Sequence, residues 1–301
     1  MDTTSTGGAQ VTAVSVIIPD TDSPLIGEII RGLLHQTALD SILEILVVGS
    51  DAPGRIPAHP LVRLLSTQAA VPASDKRNLG ITAARGDIFF FLDDDCIPAL
   101  DWAACHLAQH AQGQVIVGGA VHFGNENLLQ LADNVSAFHD LLPFTACGAR
   151  PYLCTANLSV QRSVVDRVGL MPPGRSRAED LEWTARFRQN GYTLFFEPRA
   201  LVYHNPARRT WLSVYRHWTE DAPFTLDVRL RYRKALATPF LAQFRSLYCW
   251  GAPLIALWAT ARVFSHSQTR RRYAHLFPLI YLTKLAWCWG AFKNFPQGAR
   301  L

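Results

Sequence analysis

Between residues 14 and 92 the chain alternates short apolar runs with helical periods, and this restricts the fold more than any other feature. "VSVII" (14–18) is a β-branched run closed by Pro19 and reads as a buried strand. "SPLIGEIIRGLLHQT" (23–37) has apolar residues at 25, 26, 29, 30, 33 and 34, the spacing of a helix, with Ser23 as cap and Pro24 in the first turn. "ILEILVV" (42–48) and "LVRLL" (61–65) are the next two strands, "SDKRNLGITAAR" (74–85) a short helix, and "DIFFFL" (87–92) a further strand. This order predicts an α/β fold with a mostly parallel, Rossmann-like sheet covered by helices. In such open sheets, ligands bind beyond the carboxyl ends of the strands.

Asp93, Asp94 and Asp95 stand at that position, directly after "FFFL". Adjacent carboxylates repel one another and resist desolvation. Either the turn is solvated or a cation sits there. Carboxylates alternating across a turn can direct Asp93 and Asp95 to one ligand, and oxygen donors of this kind suit Mg²⁺ or Mn²⁺, which commonly also hold a diphosphate.

A hydrophobic content of 49% with 18% charged residues excludes a disordered chain. The six cysteines show no CxxC pair and no zinc-finger spacing, as expected for free thiols in a reducing compartment. "MDTTSTGGAQ" lacks the apolar core of a signal peptide, so the expected location is cytoplasmic. The net charge of +5 hides an asymmetry. Residues 1–204 carry 14 Lys and Arg against 21 Asp and Glu, whereas residues 205–301 carry 15 against 3. An acidic front and a basic, aromatic-rich back imply two different jobs.

"VSVIIP", "KRNLGITAARGDIFFFLDDD" and "TANLSVQRSVVDRVGLMPPGRSRAEDLEWTARFRQNGY" (155–192), in this order and spacing, resemble the inverting family 2 glycosyltransferases of GT-A fold. The resemblance covers about residues 12–205. It implies a flexible N-terminus (1–12), a catalytic domain (13–205) and a basic, apolar helical C-terminal region (206–301). It also implies a nucleotide-sugar donor, Mn²⁺ or Mg²⁺ on a DxD motif, and a carboxylate base near the acceptor. Asp93 and Asp95 match the DxD carboxylates, the first at the donor ribose and the last at the metal. Asp180 in "AED" matches the base, with Glu179 beside it. The donor side would comprise Pro19, Asp51, Arg77, Asp93 and Asp94, and His204 in "ALVYHNP" matches an additional metal ligand. The implied reaction is direct displacement, with Asp180 taking the proton of the attacking acceptor hydroxyl.

Each of these residues also has a bland reading. Acids at 179 and 180 complement a helix dipole, Arg77 sits in a basic helical cluster, and a histidine after an apolar strand can be purely structural. Two stretches depart from the family pattern. "PDTDSP" replaces the usual loop after the first strand, and "VVGSDAPG" puts Gly49 and Ser50 where two acids are usual, with Asp51 slightly later.

The last quarter is different. "SLYCWGAPLIALWATA" (246–261) runs 16 residues without a charge, and "YAHLFPLIYLTKLAWCWGAF" (273–292) has one lysine in 20. Spanning a bilayer needs about 20 apolar residues. The connector "RVFSHSQTRRR" carries four arginines, which a hairpin from the cytoplasm would place outside, against the positive-inside rule. Helices lying in the plane of an anionic leaflet fit better, with Trp250, Trp258, Trp287 and Trp289 at the interface. That implies peripheral attachment to the inner face of the cell membrane and a lipid-linked acceptor. The apolar mass beside the charges argues against nucleic acid as partner. Two other classes stand beside the transferase. A metal-dependent nucleotidyltransferase would show a Gly-rich basic loop where "PDTDSP" stands. A catalytically inactive membrane-bound scaffold would have no need of the DDD and AED acids.

Overall fold

The computed structural model describes residues 13–68, 70–124, 127–205 and 208–296. Residues 1–12, expected to form a flexible N-terminus, lie outside the described residues. β1 (Val14–Pro19), α1 (Ile26–Leu34), β2 (Ile42–Gly49), β3 (Val62–Ser66), α2 (Ala73–Ala83) and β4 (Ile88–Leu92) follow in the predicted order. β1 pairs in parallel with β2 and β4, and β2 with β3. Helices cover both faces of β4, which explains its unbroken apolar run. Phe90 meets Trp102 edge-on at 5.2 Å and Phe91 meets Trp183 at 5.5 Å.

The first helix starts later than the sequence suggests, at Ile26 rather than after Ser23. The Ser23 hydroxyl does not cap it. It donates to the Asp94 carbonyl and accepts the Leu25 N–H, tying the loop after β1 to the aspartate turn.

Beyond β4 the sheet is mixed. β5 (Cys96–Pro98), α3 (Trp102–Ala111), β6 (Ile116–Phe123), α4 (Leu128–Phe138), β7 (Gly148–Ala149), β8 (Asn157–Gln161), α5 (Arg162–Val168), α6 (Glu179–Gln189) and β9 (Phe195–His204) complete it. The strand order is β3-β2-β1-β4-β8-β6-β9-β5, with β7 also on β9. β8 runs antiparallel between β4 and β6, and β5 antiparallel to β9. The Asn157 side chain, buried on β8, donates to the carbonyls of Ala120 and Ala200 and accepts from Trp102, so the insertion of β8 leaves no buried amide unpaired there.

The C-terminal region folds as α7 (Trp211–Arg231), α8 (Leu247–Trp250), α9 (Ala252–Val263), α10 (Ser267–Tyr273) and α11 (Phe277–Lys293). The apolar run 246–261 is therefore two helices broken at Gly251, not one. α7 starts in a capping box between Thr210 and Ser213. α11 packs along α7, α9 and α4. Ala222, Leu226 and Leu230 of α7 meet Tyr248 and Ala291, while Val214 and Trp218 meet Ala286. The Lys284 ammonium donates to the Ser136 carbonyl at 3.1 Å and lies 4.3 Å from the Trp218 ring centre. Burial pulls it down to about 7.

Trp287 departs from expectation: it is half-buried, and its N–H donates to the Thr225 hydroxyl at 2.9 Å. This indole packs between α7 and α11. Trp250, Leu254 and Trp258, at 86%, 74% and 59% exposure, face solvent, and so does Trp289, at 48%. Among the described residues no helix is long and apolar enough to cross a membrane.

Candidate active site

The three aspartates after β4 diverge, each to its own partner. Asp93 accepts from Arg77 at 2.6 Å. Asp94 accepts from the Thr21 N–H and hydroxyl at 2.8 and 2.7 Å. Asp95 faces the His204 Nε2 at 3.4 Å, across the β5–β9 pairing of Cys96 with His204. The repulsion anticipated from the sequence is thus offset by cations and donors brought from distant elements. Burial pushes the Asp94 carboxyl up to about 6, against the hydrogen bonds from Thr21. Burial acts the same way on Asp95, but the facing His204 ring outweighs it and holds that carboxyl below its usual range.

Arg77 is not a surface residue: its side chain is 5% exposed. α2 turns Ser74, Lys76, Arg77, Gly80 and Ile81 inward. The Arg77 guanidinium bridges Asp93 and, at 2.8 Å, Glu179. Burial opposes its charge, but Asp93 and Glu179 raise its pKa further. Glu179, expected beside the base, is therefore spent on this arginine.

Asp180 is set by the start of α6. Ala178 adopts the left-handed region (φ 56°), which turns the chain into the helix so that Glu179 and Asp180 form its first turn. One Asp180 oxygen accepts the Leu181 N–H at 2.7 Å and the other the Tyr152 hydroxyl at 2.9 Å. Burial first, then the Glu179 charge, push Asp180 up to about 7, against the Tyr152 hydrogen bond and Arg77. The helical periodicity read from the sequence holds here. Leu181, Ala185 and Phe187 are buried, and Gly191 (φ 83°) follows the helix end.

The remaining donor-side expectations are placed differently. Pro19 ends β1 in the core, next to the buried Asp20. Asp51 accepts the Arg55 and Ile56 N–H groups, so its carboxylate shapes its own loop. Gly49, where the family usually has an acid, has a physical reason. A Cβ there would lie 2.2 Å from the Asp20 carbonyl oxygen, which also accepts from the buried Lys76 ammonium at 2.6 Å. Sequence reading missed Lys76, Thr21 and Tyr152. Lys76 adjoins Arg77 in the sequence and could have been suspected, but nothing near Tyr152 signals its partner.

The Asp95–His204 pair suits a divalent ion. A carboxylate oxygen and an imidazole nitrogen converge, a donor set that fits Mn²⁺ or Mg²⁺. Cys96 lies within the same 4.8 Å cluster. Burial, then Asp95 and Asp93, raise its thiol well above the usual range, so it stays protonated and donates to Asp95. Among the described residues, Arg77 Nε, His204 Nδ1 and Asn205 Oδ1 are buried without a hydrogen-bond partner around this turn. Such orphans mark a site that a ligand completes.

The glycosyl transferase family 2 pattern matches residues 15–169, just over half of the chain and all of the aspartate turn. The chain belongs to this family. It is a glycosyltransferase of GT-A fold. It is 30% identical over 205 residues to glycosyltransferase AglE of Haloferax volcanii, covering 65% of this chain and 67% of that protein. The mannosyltransferase PcManGT of Pyrobaculum calidifontis, solved with GDP-Man and Mn²⁺, superposes with a TM-score of 0.59 at 19% identity, over 94% of this chain and 87% of that one. GalNAc-T7, solved with UDP, GalNAc and Mn²⁺, gives a TM-score of 0.53 at 14% identity over 79% of this glycosyltransferase, which spans 55% of the GalNAc-T7 chain.

Proposed function

We propose that the protein transfers a sugar from a nucleotide-sugar donor, with inversion, to a hydroxyl of a lipid-linked acceptor at an anionic membrane, in glycolipid or envelope polysaccharide assembly. The observation that carries this reading is the single Arg77 guanidinium that joins Asp93 of the aspartate turn to Glu179 beside Asp180. It fixes the donor end of the sheet next to one carboxylate base. Asp95 and His204 would hold Mn²⁺ or Mg²⁺, which when bound supplies positive charge to the departing diphosphate. Thr21 and Ser23 hold the loop after β1 against this turn. Asp180 accepts the proton of the acceptor hydroxyl as that oxygen attacks the anomeric carbon. One base and an opposite-side leaving group give inversion. The solved neighbours with Mn²⁺ and UDP or GDP-Man support the donor class.

The base carries its own test. With Asp180 pushed up to about 7, the rate should rise with pH through neutrality as the carboxylate forms. The Tyr152 hydroxyl favours that carboxylate. Tyr152→Phe is therefore expected to move the acidic limb of kcat/KM to higher pH. A limb that stays in place would remove Tyr152 from this role.

The membrane part of the proposal rests on the exposed apolar residues Trp250, Leu254, Leu257 and Trp258, flanked by the exposed Arg262, Arg270, Arg271 and Arg272. Apolar side chains rimmed with cations match the headgroup boundary of an anionic leaflet. Removing the C-terminal helices would strip α4 and α7 of their cover, so charge removal is the cleaner probe. Each basic residue near the surface contributes about 1 kcal/mol. The protein is expected to bind phosphatidylglycerol vesicles far better than phosphatidylcholine ones, with partial release at high salt. Joint substitution of Arg270, Arg271 and Arg272 by Gln should weaken that binding. Equal binding to both vesicles, or to neither, would overturn peripheral docking.

A further inference from the structure

The loop from Met171 to Ala178 leads directly into the helix start that carries Asp180, and it is held from two sides. α2 holds its first part. Asn78 exchanges two hydrogen bonds with the Met171 backbone, at 2.9 and 3.0 Å, and Asp75 accepts the Gly174 N–H at 3.0 Å. The Ser74 hydroxyl accepts the Arg175 N–H and the Ser74 N–H donates to the Arg175 carbonyl, each at 3.0 Å. α7 holds the second part through side chains. Arg177 donates to Glu220 at 2.7 Å and to His217 Nδ1 at 3.5 Å. Arg175 meets Asp227 at 3.1 Å and Glu182 of α6 at 3.5 Å. Arg231 meets the same two carboxylates, at 2.8 and 2.9 Å. Two guanidiniums and two carboxylates thus close a ring in which every member has two partners. Arg175 and Glu182 come from the side of the base, Asp227 and Arg231 from α7. Exposed ion pairs taken singly contribute little. A closed ring differs because forked guanidiniums fix directions as well as distances. Direction is what this loop needs. Ala178, at φ 56°, occupies a region disfavoured for alanine and kept only where the surroundings over-determine it. Ala178, Leu181 and Ala185 also pack with Val228 and Leu236, but apolar packing is non-directional.

We infer that Asp227 is a positioning residue for the base: through Arg175 it holds the 174–178 loop in the course that directs Asp180 to the acceptor hydroxyl. The inference rests on Asp180 as the base and adds what keeps that carboxylate in place. Without the ring, Ala178 is free to leave the left-handed region, and the first turn of α6 shifts with it. The C-terminal region then has a part in the reaction itself, besides the proposed docking.

The test compares wild type, Asp227→Ala and Asp227→Glu as full chains. Asp227 is half-buried and alanine is a good helix former, so α7 should fold with the packing of Val228 intact. The first measurement is limited trypsin digestion well below Tm, with the cuts after Arg175 and Arg177 read by mass spectrometry. Those bonds become accessible when the loop opens locally, so Asp227→Ala should be cut there at least about tenfold faster than wild type, and Asp227→Glu at an intermediate rate. The second is Mn²⁺-dependent hydrolysis of a panel of UDP-, GDP- and dTDP-sugars with water as acceptor. The water oxygen bonds to the anomeric carbon, the bond from that carbon to the diphosphate oxygen breaks, and a water proton goes to Asp180. In Asp227→Ala, kcat and kcat/KM should fall together by about 10–10², with the donor KM unchanged, as for a misplaced reacting group. The acidic limb of kcat should stay where it is, because burial, Glu179, Tyr152 and Arg77, which shift Asp180, are untouched. Asp227→Glu should recover part of kcat. A purely structural role would lower Tm and the number of donor-binding sites together and leave kcat per site unchanged. Cutting as slow as in wild type, or faster cutting with kcat per site unchanged, would overturn the inference. If wild type hydrolyses no sugar of the panel, the proposed reaction fails; if it does and Asp227→Ala matches it, only the positioning role fails.

Discussion

Replacing Asp180 by Asn is expected to abolish transfer while making the fold more stable. Loss of a general base typically lowers the rate by about 10²–10⁴. Asparagine keeps one oxygen to accept the Leu181 N–H, and its NH2 can donate to the Tyr152 hydroxyl, so the geometry survives and the basicity does not. Donor binding should be unaffected, because Arg77 holds Asp93 and Glu179 but makes no hydrogen bond to Asp180. The stability effect follows from the direction of the shift. Burial, then the Glu179 charge, push the folded Asp180 carboxyl up to about 7, above the ordinary value of about 4 for an aspartate in the unfolded chain. A folded state that binds the proton more tightly loses stability as pH rises between those two values and is least stable above the upper one. At pH 8 the uncharged Asn avoids this cost, and each kcal/mol so recovered raises Tm by about 2–4 °C in a protein of this size class. At pH 4 the gain should vanish. Transfer within a few-fold of wild type would place the base elsewhere. A lower Tm at pH 8 would show that the Asp180 charge is not a burden on the fold.

Asp95→Ala is expected to remove the metal-dependent part of donor binding. The Asp95 carboxyl is held ionised by the facing His204 ring, at 3.4 Å, and a deprotonated oxygen next to an imidazole nitrogen is what a hard divalent ion needs. Without it one nitrogen of His204 remains, together with the thiol of Cys96, which burial keeps protonated. Neither replaces a carboxylate. In wild type, Mn²⁺ should sharpen the affinity for at least one of a panel of UDP-, GDP- and dTDP-sugars, seen as a melting shift and by calorimetry. In Asp95→Ala the affinity with and without Mn²⁺ should coincide. Asp94→Ala provides the contrast. It frees Thr21 and loosens the loop after β1, so it should weaken donor binding and lower Tm while leaving the Mn²⁺ dependence. Unchanged Mn²⁺-dependent affinity in Asp95→Ala would assign the metal to other groups.

What could be read in advance was local. The runs 14–18, 42–48 and 87–92 are short, apolar and bounded by turn residues, and each became a strand within one or two residues of its expected ends. A mostly parallel sheet was expected from the alternation of strands and helices, and this placed the aspartates at the carboxyl edge; the order β3-β2-β1-β4 was not read from the sequence. The acids at 179 and 180 were recognisable as a helix start because the apolar period follows them. The antiparallel insertion of β8 was not recognisable, since a five-residue strand carries no sign of its neighbour's direction.

The sequence by itself determined which segments are strands and helices, where the carboxylates cluster, and that the basic charge lies in the last third. Local spacing and side-chain type decide those things, and both are written along the chain. Only the tertiary structure decided how the carboxylates are used. Arg77 meets Asp93 16 residues away and Glu179 102 residues away, while Tyr152 reaches Asp180 across 28. Contacts of that separation depend on how the sheet and its covering helices close on one another, and burial then sets which charge is tolerated. The same closure tucked Trp287 against α7 and left Trp250 and Trp258 outside, although all three sit in equally apolar stretches. A helix shows its partner only once packed, because which face is covered depends on the neighbour and not on the helix alone.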